Sequence, residues 1–181
     1  MKVAETALPG VLIFEPEVYE DTRGFFVEFF NQKQFGRDVG RNVQFVQDNQ
    51  SHSRKGVLRG LHYQINQPQA KLIRTIQGEI YDVAVDLRRS SPAFGKWIGV
   101  TLSADNKKQL WIPEGFAHGF LALSETADLL YKVTDYYAPQ HERSLLWNDA
   151  ALAITWPIDG APILSDRDRR ALALDKAEVF A

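Results

Sequence analysis

Three stretches hold the side chains best suited to chemistry. Residues 56–64 (GVLRGLHYQ) set Arg59 and His62 among glycines. Residues 113–120 (PEGFAHGF) carry His118 in a tight Gly-Phe-Ala-His-Gly-Phe turn, and residues 130–137 (LYKVTDYY) supply Tyr131. Imidazole and phenol make a natural proton-transfer pair. An imidazole with a pKa of about 6.5 is largely neutral near pH 7 and ready to accept a proton, whereas a phenol at about 10 keeps its own until a carbanion forms. The three stretches are expected to meet inside a β-barrel and form a proton-transfer site.

The elements that would position them read as short strands. Turn signals recur at Pro9-Gly10, residues 21–24, Gln77-Gly78, residues 90–92, residues 104–106 and residues 113–115, with short apolar runs between. In residues 80–87, Tyr81, Val83, Val85 and Leu87 share one face, and Asp82 and Asp86 take the other. In residues 97–102, Ile98, Val100 and Leu102 face together. Residues 25–30 are apolar on both faces except for Glu28, whose carboxylate then needs a cationic partner or a polar cavity. Helix is scarce: one is expected from Asn31, which caps it, and another over residues 165–174, capped by Ser165. This pattern predicts an all-β fold, a double-sheet jelly-roll β-barrel with a few short helices, in one domain spanning 1–181. Such barrels hold ligands in their mouths.

Strand parity raises a difficulty. Leu129, Tyr131 and Val133 share a face, which suits a tyrosine pointing into an apolar-walled barrel. Leu58, Gly60 and His62 also share a face, but a regular strand would turn Arg59 away from His62. A bulge or twist at Gly60 is therefore expected, bringing both to the site.

Bulk composition narrows the classes. The chain has 181 residues, 45% hydrophobic and 24% charged, with a net charge of −2 and no cysteine. Disulfides, thiolate catalysis and cysteine-ligated metals are excluded. The charge balance gives no reason to expect nucleic acid or an anionic membrane as partner. The N-terminus lacks the apolar core of a signal peptide, and no run approaches the roughly 20 apolar residues of a membrane span, so a soluble cytoplasmic protein is expected.

The histidines pose a choice between metal and proton chemistry. The G-x5-H spacing from Gly56 to His62 and the P-x-G-x2-H spacing from Pro113 to His118 resemble halves of cupin metal motifs. The first motif would continue as H-x-H and a glutamate, but Gln64 stands two residues after His62 and the next glutamate is Glu79. Two histidines and an amide make a poor metal site, so a cupin-like barrel without metal is expected. His52 and His141 read as hydrogen-bonded structural residues. His118 fits a structural turn as well as a site, and Tyr131 alone fits a core tyrosine.

Several segments, taken in order, resemble the dTDP-4-dehydrorhamnose 3,5-epimerases: RGLHYQ (59–64), QAKLIR (69–74), GEIYDVAVD (78–86), IPEGFAHGF (112–120), YKV (131–133), LWND (146–149) and LSDRD (164–168). The resemblance runs from about Gly10 to Asp168. It implies an isomerase of dTDP-L-rhamnose synthesis that inverts C3 and C5 of dTDP-4-dehydro-6-deoxy-D-glucose, as a homodimer, with no metal or redox cofactor. It implies His62 as the base, oriented by Asp168, and Tyr131 as the acid. It further implies Arg23, Glu28, Gln47, Asn49, Arg59, Lys71, His118 and Glu142 as substrate contacts. The family usually carries lysine before the dyad aspartate; here Arg167 stands there, keeping the charge but offering a planar fork.

Taken without the resemblance, Asp168 in the first turn of a helix is equally a capping or dipole residue, and Arg23 or Arg59 alone would pass for a surface ion pair. Lys71 is the candidate to meet negative charge on the C4 oxygen, with His118 in support; a surface lysine is its bland alternative. Competing functions are a single-carbon epimerase, a 3,4-ketoisomerase of the same keto-sugars, a metal-dependent cupin oxygenase and a sugar-binding module without turnover. The aromatic stretch 25–30 suggests an association surface.

Overall fold

The computed structural model describes residues 1–181. In chain order the strands are β1 (Lys2–Glu5), β2 (Leu12–Glu15), β3 (Val18–Asp21), β4 (Gly24–Val27), β5 (Gln47–Arg54), β6 (Leu58–Gln64), β7 (Lys71–Gln77), β8 (Glu79–Asp86), β9 (Trp97–Ser103), β10 (Gln109–Ile112), β11 (Phe116–Ala122), β12 (Thr126–Val133) and β13 (Glu142–Ser144). The helices are α1 (Gln32–Val39) and α2 (Asp166–Arg169). One antiparallel sheet runs β1-β2-β10-β7-β12-β5 and a second runs β13-β6-β11-β8-β9. The chain passes repeatedly between them, as a jelly roll does. No helix is long and apolar enough to cross a membrane.

The core between the sheets takes Ile73, Leu110, Ile112 and Leu129 from the first sheet and Ile80, Ala84, Leu102, Phe116 and Phe120 from the second. Ile98 and Val100 pack against this cluster, on the same face of β9 as Leu102. Burying each such side chain contributes about 1.5–3 kcal/mol. Strand β8 is buried on both sides. Val83, Val85 and Leu87 turn outward, beneath Leu145, Leu152 and Trp156 of the C-terminal segment. Asp82 and Asp86 face the other way and are fully buried. On the outer face of the six-stranded sheet, α1 sets Phe35 against Phe14, Leu72 and Trp111.

Helix α1 starts where expected, the side chain of Asn31 accepting from the backbone N–H of Gln34. Helix α2 is far shorter than residues 165–174. Ser165 caps it, but the chain leaves the helix at Arg170. Leu172 is instead drawn into a parallel bridge with Leu145, its N–H donating to Ser144 and its carbonyl accepting from Leu146. This tertiary pairing overrides a local run of good helix formers, Ala171 to Leu174.

The aromatic stretch also departs from expectation. Strand β4 ends at Val27 and pairs only with β3, so the two form a ribbon outside both sheets. Tyr19, Phe25 and Phe26 on it are exposed. Beyond it the chain turns inward: Phe30 meets Phe35 and Phe45, and the Arg74 guanidinium lies 3.7 Å from the Phe29 ring centroid. Glu28 is exposed, with the Asn31 amide 3.4 Å away, and so needs no buried cation.

Candidate active site

Both sheets contribute to one cavity of about 750 Å³. From the six-stranded sheet come Gln47, Asn49 and Ser51 of β5, Lys71 of β7 and Tyr131 of β12; from the other come Arg59 and His62 of β6, His118 of β11 and Glu142 of β13. Arg167 and Asp168 of α2 complete the wall.

The strand that carries His62 is irregular at the expected place. Across β6 and β11, His118 pairs with His62 but Phe120 pairs with Arg59, so β6 holds one extra residue. The bulge centres on Gly60, whose φ is 126°. A Cβ there would stand 2.5 Å from the Cα of Gly119. Glycine is therefore required both by conformation and by close backbone approach. The Gly60–Leu61 peptide bond is cis. The extra residue lets Arg59 and His62 line the same cavity, and Arg59 is held by bonds to the Ser53 hydroxyl (3.0 Å) and the His52 carbonyl (2.9 Å).

His62 and Asp168 form a dyad, with Nε2 2.5 Å from Oδ1. The Ser165 hydroxyl donates to the other carboxylate oxygen (2.8 Å) and accepts from the Asp168 N–H (3.1 Å), so the helix cap and the dyad are one structure. Asp168 is buried. Burial pushes its carboxyl up, but His62, Ser165 and Arg167 together hold it below the ordinary carboxylate range. A carboxylate on Nε2 keeps the hydrogen there and leaves Nδ1 as the basic nitrogen. The imidazole pKa lies below its ordinary value. Burial lowers it most, and the charges of Arg167 and Lys71 add to that, outweighing Asp168. The imidazole is thus held toward its neutral form.

Arg167 uses the fork that lysine lacks. One nitrogen grips Glu142 (2.5 Å), which also accepts from the Tyr137 hydroxyl (2.9 Å), and the other lies 3.0 Å from His62 Nε2. Lys71 points its ammonium at the His62 carbonyl, 3.5 Å away. Burial brings its pKa down to about 8, against the pull of Asp82 and Glu142. Across from His62, the Nε2 of His118 meets both oxygens of Asp82 at 3.0 Å. Burial raises the Tyr131 phenol, with Glu142 adding to the rise and Arg59 opposing it, so the hydroxyl keeps its proton. His62 and Tyr131 stand on facing sheets of one cavity, and Lys71 lies on β7, the sheet neighbour of the Tyr131 strand β12.

Every side chain singled out from sequence lines this cavity except Arg23 and Glu28. Arg23 lies at the ribbon tip, ion-paired with Asp21 and 87% exposed. Glu28 borders a separate, smaller pocket with Glu17 and Tyr19. The ribbon pairs with neither sheet, which takes both residues away from the cavity of their own chain. His52 is held by Asp128 (3.1 Å), and the Asn66 amide lies 3.5 Å from His141, in keeping with structural roles. Sequence reasoning missed Asp82, Ser165 as the partner of the dyad carboxylate, and the Tyr137–Glu142–Arg167 chain. The inward parity of Asp82 on β8 was the one available signal.

The signature of the dTDP-4-dehydrorhamnose 3,5-epimerases matches residues 5–176. The chain belongs to that family. A dTDP-4-dehydrorhamnose 3,5-epimerase of Pseudomonas aeruginosa is 57% identical over 180 residues, covering 99% of each chain. Among solved structures, the dTDP-6-deoxy-D-glucose-3,5-epimerase of Legionella pneumophila, in complex with dTDP-4-keto-L-rhamnose, is 50% identical with a TM-score of 0.95, covering 98% of this chain and 94% of that one. A more distant neighbour is the 3′-monoepimerase ChmJ of Streptomyces bikiniensis, in complex with dTDP-quinovose: 36% identical, TM-score 0.89, covering 94% of this chain and 86% of that one. The epimerase family thus accounts for both the barrel and the dyad-bearing tail.

Proposed function

We propose that this chain is a dTDP-4-dehydrorhamnose 3,5-epimerase that converts dTDP-4-dehydro-6-deoxy-D-glucose to dTDP-4-dehydro-L-rhamnose in dTDP-L-rhamnose biosynthesis. One observation carries the mechanism: His62, paired with Asp168, and Tyr131 line one cavity from opposite sheets.

C3 and C5 flank the C4 carbonyl, so their protons are the acidic ones. Nδ1 of His62 takes a proton, and the C–H electrons move into an enolate with its charge on the C4 oxygen. Asp168 stabilises the imidazolium. The Lys71 ammonium, with His118 beside it, meets the oxyanion; such preorganised donors supply roughly 3–4 kcal/mol. Tyr131 delivers its proton to the opposite face of the carbon, collapsing the enolate to the inverted ketone. The phenolate and imidazolium then return to their starting states by exchange with solvent. Repeating the cycle at the second carbon completes the reaction. Arg59 and Arg167 suit the diphosphate, and Gln47, Asn49 and Glu142 suit the polar groups of substrate.

Arg23 and Glu28 fit a substrate role if the exposed ribbon enters the cavity of a second copy. The working unit we propose is a homodimer in the cytoplasm, in which Tyr19, Phe25 and Phe26 are covered by the partner. A second reading, inversion at one carbon only, is favoured by the likeness to a 3′-monoepimerase.

Incubation with the 4-keto sugar nucleotide in D2O separates these readings. Deuterium at both C3 and C5, lost in His62→Ala, supports the double inversion. Label at one carbon supports the single one, and none at either overturns the epimerase.

A further inference from the structure

The buried carboxylates differ in what compensates them. Asp86 has its own arginine, Arg88 at 2.6 and 2.9 Å, and the Ser91 hydroxyl at 2.6 Å. Asp149 accepts backbone N–H bonds from Ala151, Leu152 and Leu174. Asp168 has His62 and Ser165. Asp82, with no exposure at all, has neither arginine nor backbone donor, and both its oxygens turn to His118 Nε2. A charge so deeply buried is retained only where cationic or donor groups offset it. The remaining offset is Lys71. Asp82 is the strongest influence raising the Lys71 pKa against burial. Lys71 and His118 both flank His62, one 3.5 Å from its carbonyl and the other directly across the strand pair.

We infer that Asp82 is a positioning residue: behind His118 and Lys71, it assembles the corner of the cavity that receives the C4 oxygen of the enolate. This rests on the epimerase reading of the cavity. The hydrogen bond fixes the His118 ring, and the negative charge keeps Lys71 an ammonium in a site that would otherwise favour its neutral form. The other charged or titratable groups around Lys71 act less selectively. Glu142 helps to hold its charge, while His62, Arg167 and Tyr131 are engaged with Asp168, Glu142 and the substrate ring. Asp82 is the buried charge that serves the oxyanion corner alone.

The test is Asp82→Asn, which keeps shape and removes charge. We expect kcat and the C3 and C5 deuterium exchange to fall together by roughly 10- to 100-fold, as when a supporting group behind a functional ligand is lost. Affinity for dTDP should stay within about threefold, since the diphosphate contacts are elsewhere. The alkaline limb of the kcat/KM profile should move about one pH unit lower, because Lys71 loses its charge sooner. In a Lys71→Arg background the same change should leave the profile unmoved. A packing role would lower the folded fraction without moving the limb, and that result overturns the inference. So does a kcat within twofold of wild type. Should Asp82→Asn not fold, Asp82→Ser leaves room for a water on His118 and is read in the same way; failure of both assigns Asp82 to the fold and also overturns it. Absence of exchange in the wild-type protein would instead strike at the epimerase reading itself.

Discussion

Asp168 sits 2.5 Å from Nε2 of His62 although 106 positions of chain separate them. The pairing joins the C-terminal tail to the barrel, because α2 lies against β6 only after the segment from 145 to 165 has covered the outer face of the five-stranded sheet. Asp168→Asn keeps the packing but offers the wrong partner to the imidazole. We expect kcat to fall on the order of 10³- to 10⁴-fold, as when such a carboxylate is lost from a histidine dyad, with dTDP affinity retained. Steady-state kinetics beside dTDP titration would check this.

The pH profile follows from two shifted groups. In the mechanism we propose the competent base is neutral His62, so activity is lost as pH falls through a pKa that lies below 6.5. The competent cation is protonated Lys71, so activity is lost as pH rises through about 8. The kcat/KM profile should therefore be a bell with its optimum between these limits. Lys71→Arg should move the alkaline limb from about 8 to above 10, where the Tyr131 phenol loses its proton, since guanidinium stays charged past about pH 12. Arg167→Ala, which removes a cation 3.0 Å from the imidazole, should move the acid limb to higher pH.

Period-two alternation is enough to read β8 and β9 from sequence, because one face of each is continuously apolar. Strand β5, with its sequence QDNQSHSR, carries no such mark. It is polar on both faces because Gln47, Asn49 and Ser51 line the cavity and the strand edges its sheet. The Gly60 bulge is legible as a parity conflict between Arg59 and His62. The short α2 is not, since the bridge from Leu172 to Leu145 is a tertiary competitor that local propensity cannot register. The cavity wall follows from sequence resemblance, while Asp82 does not, because alternation says only that it faces inward.

Tyr131→Phe should separate the two halves of the reaction. The base still removes protons, so exchange with D2O at C3 and C5 should persist within about tenfold. Net inversion should fall by roughly 10²- to 10⁴-fold, the usual worth of a positioned general acid. Following label uptake and product in one NMR experiment checks the split. Equal loss of both would remove Tyr131 from the acid role.

The ribbon makes a prediction about subunit exchange. If Arg23 of one copy serves the cavity of the other, Arg23→Ala and His62→Ala act on different chains of the same site. In a heterodimer of the two variants, one site lacks both groups and the other has both. Random mixing places half of the dimers in that state, so about a quarter of all sites regain full function by subunit statistics alone. The two variants, each weakly active by itself, should therefore recover roughly 25% of wild-type activity after refolding together. No recovery, with mixed dimers confirmed by mass spectrometry, would show that Arg23 does not act across the interface. Loss of the dimer in a Phe25→Ser, Phe26→Ser double variant, followed by sedimentation, would tie the same ribbon to assembly, because both rings are more than half exposed in the single chain.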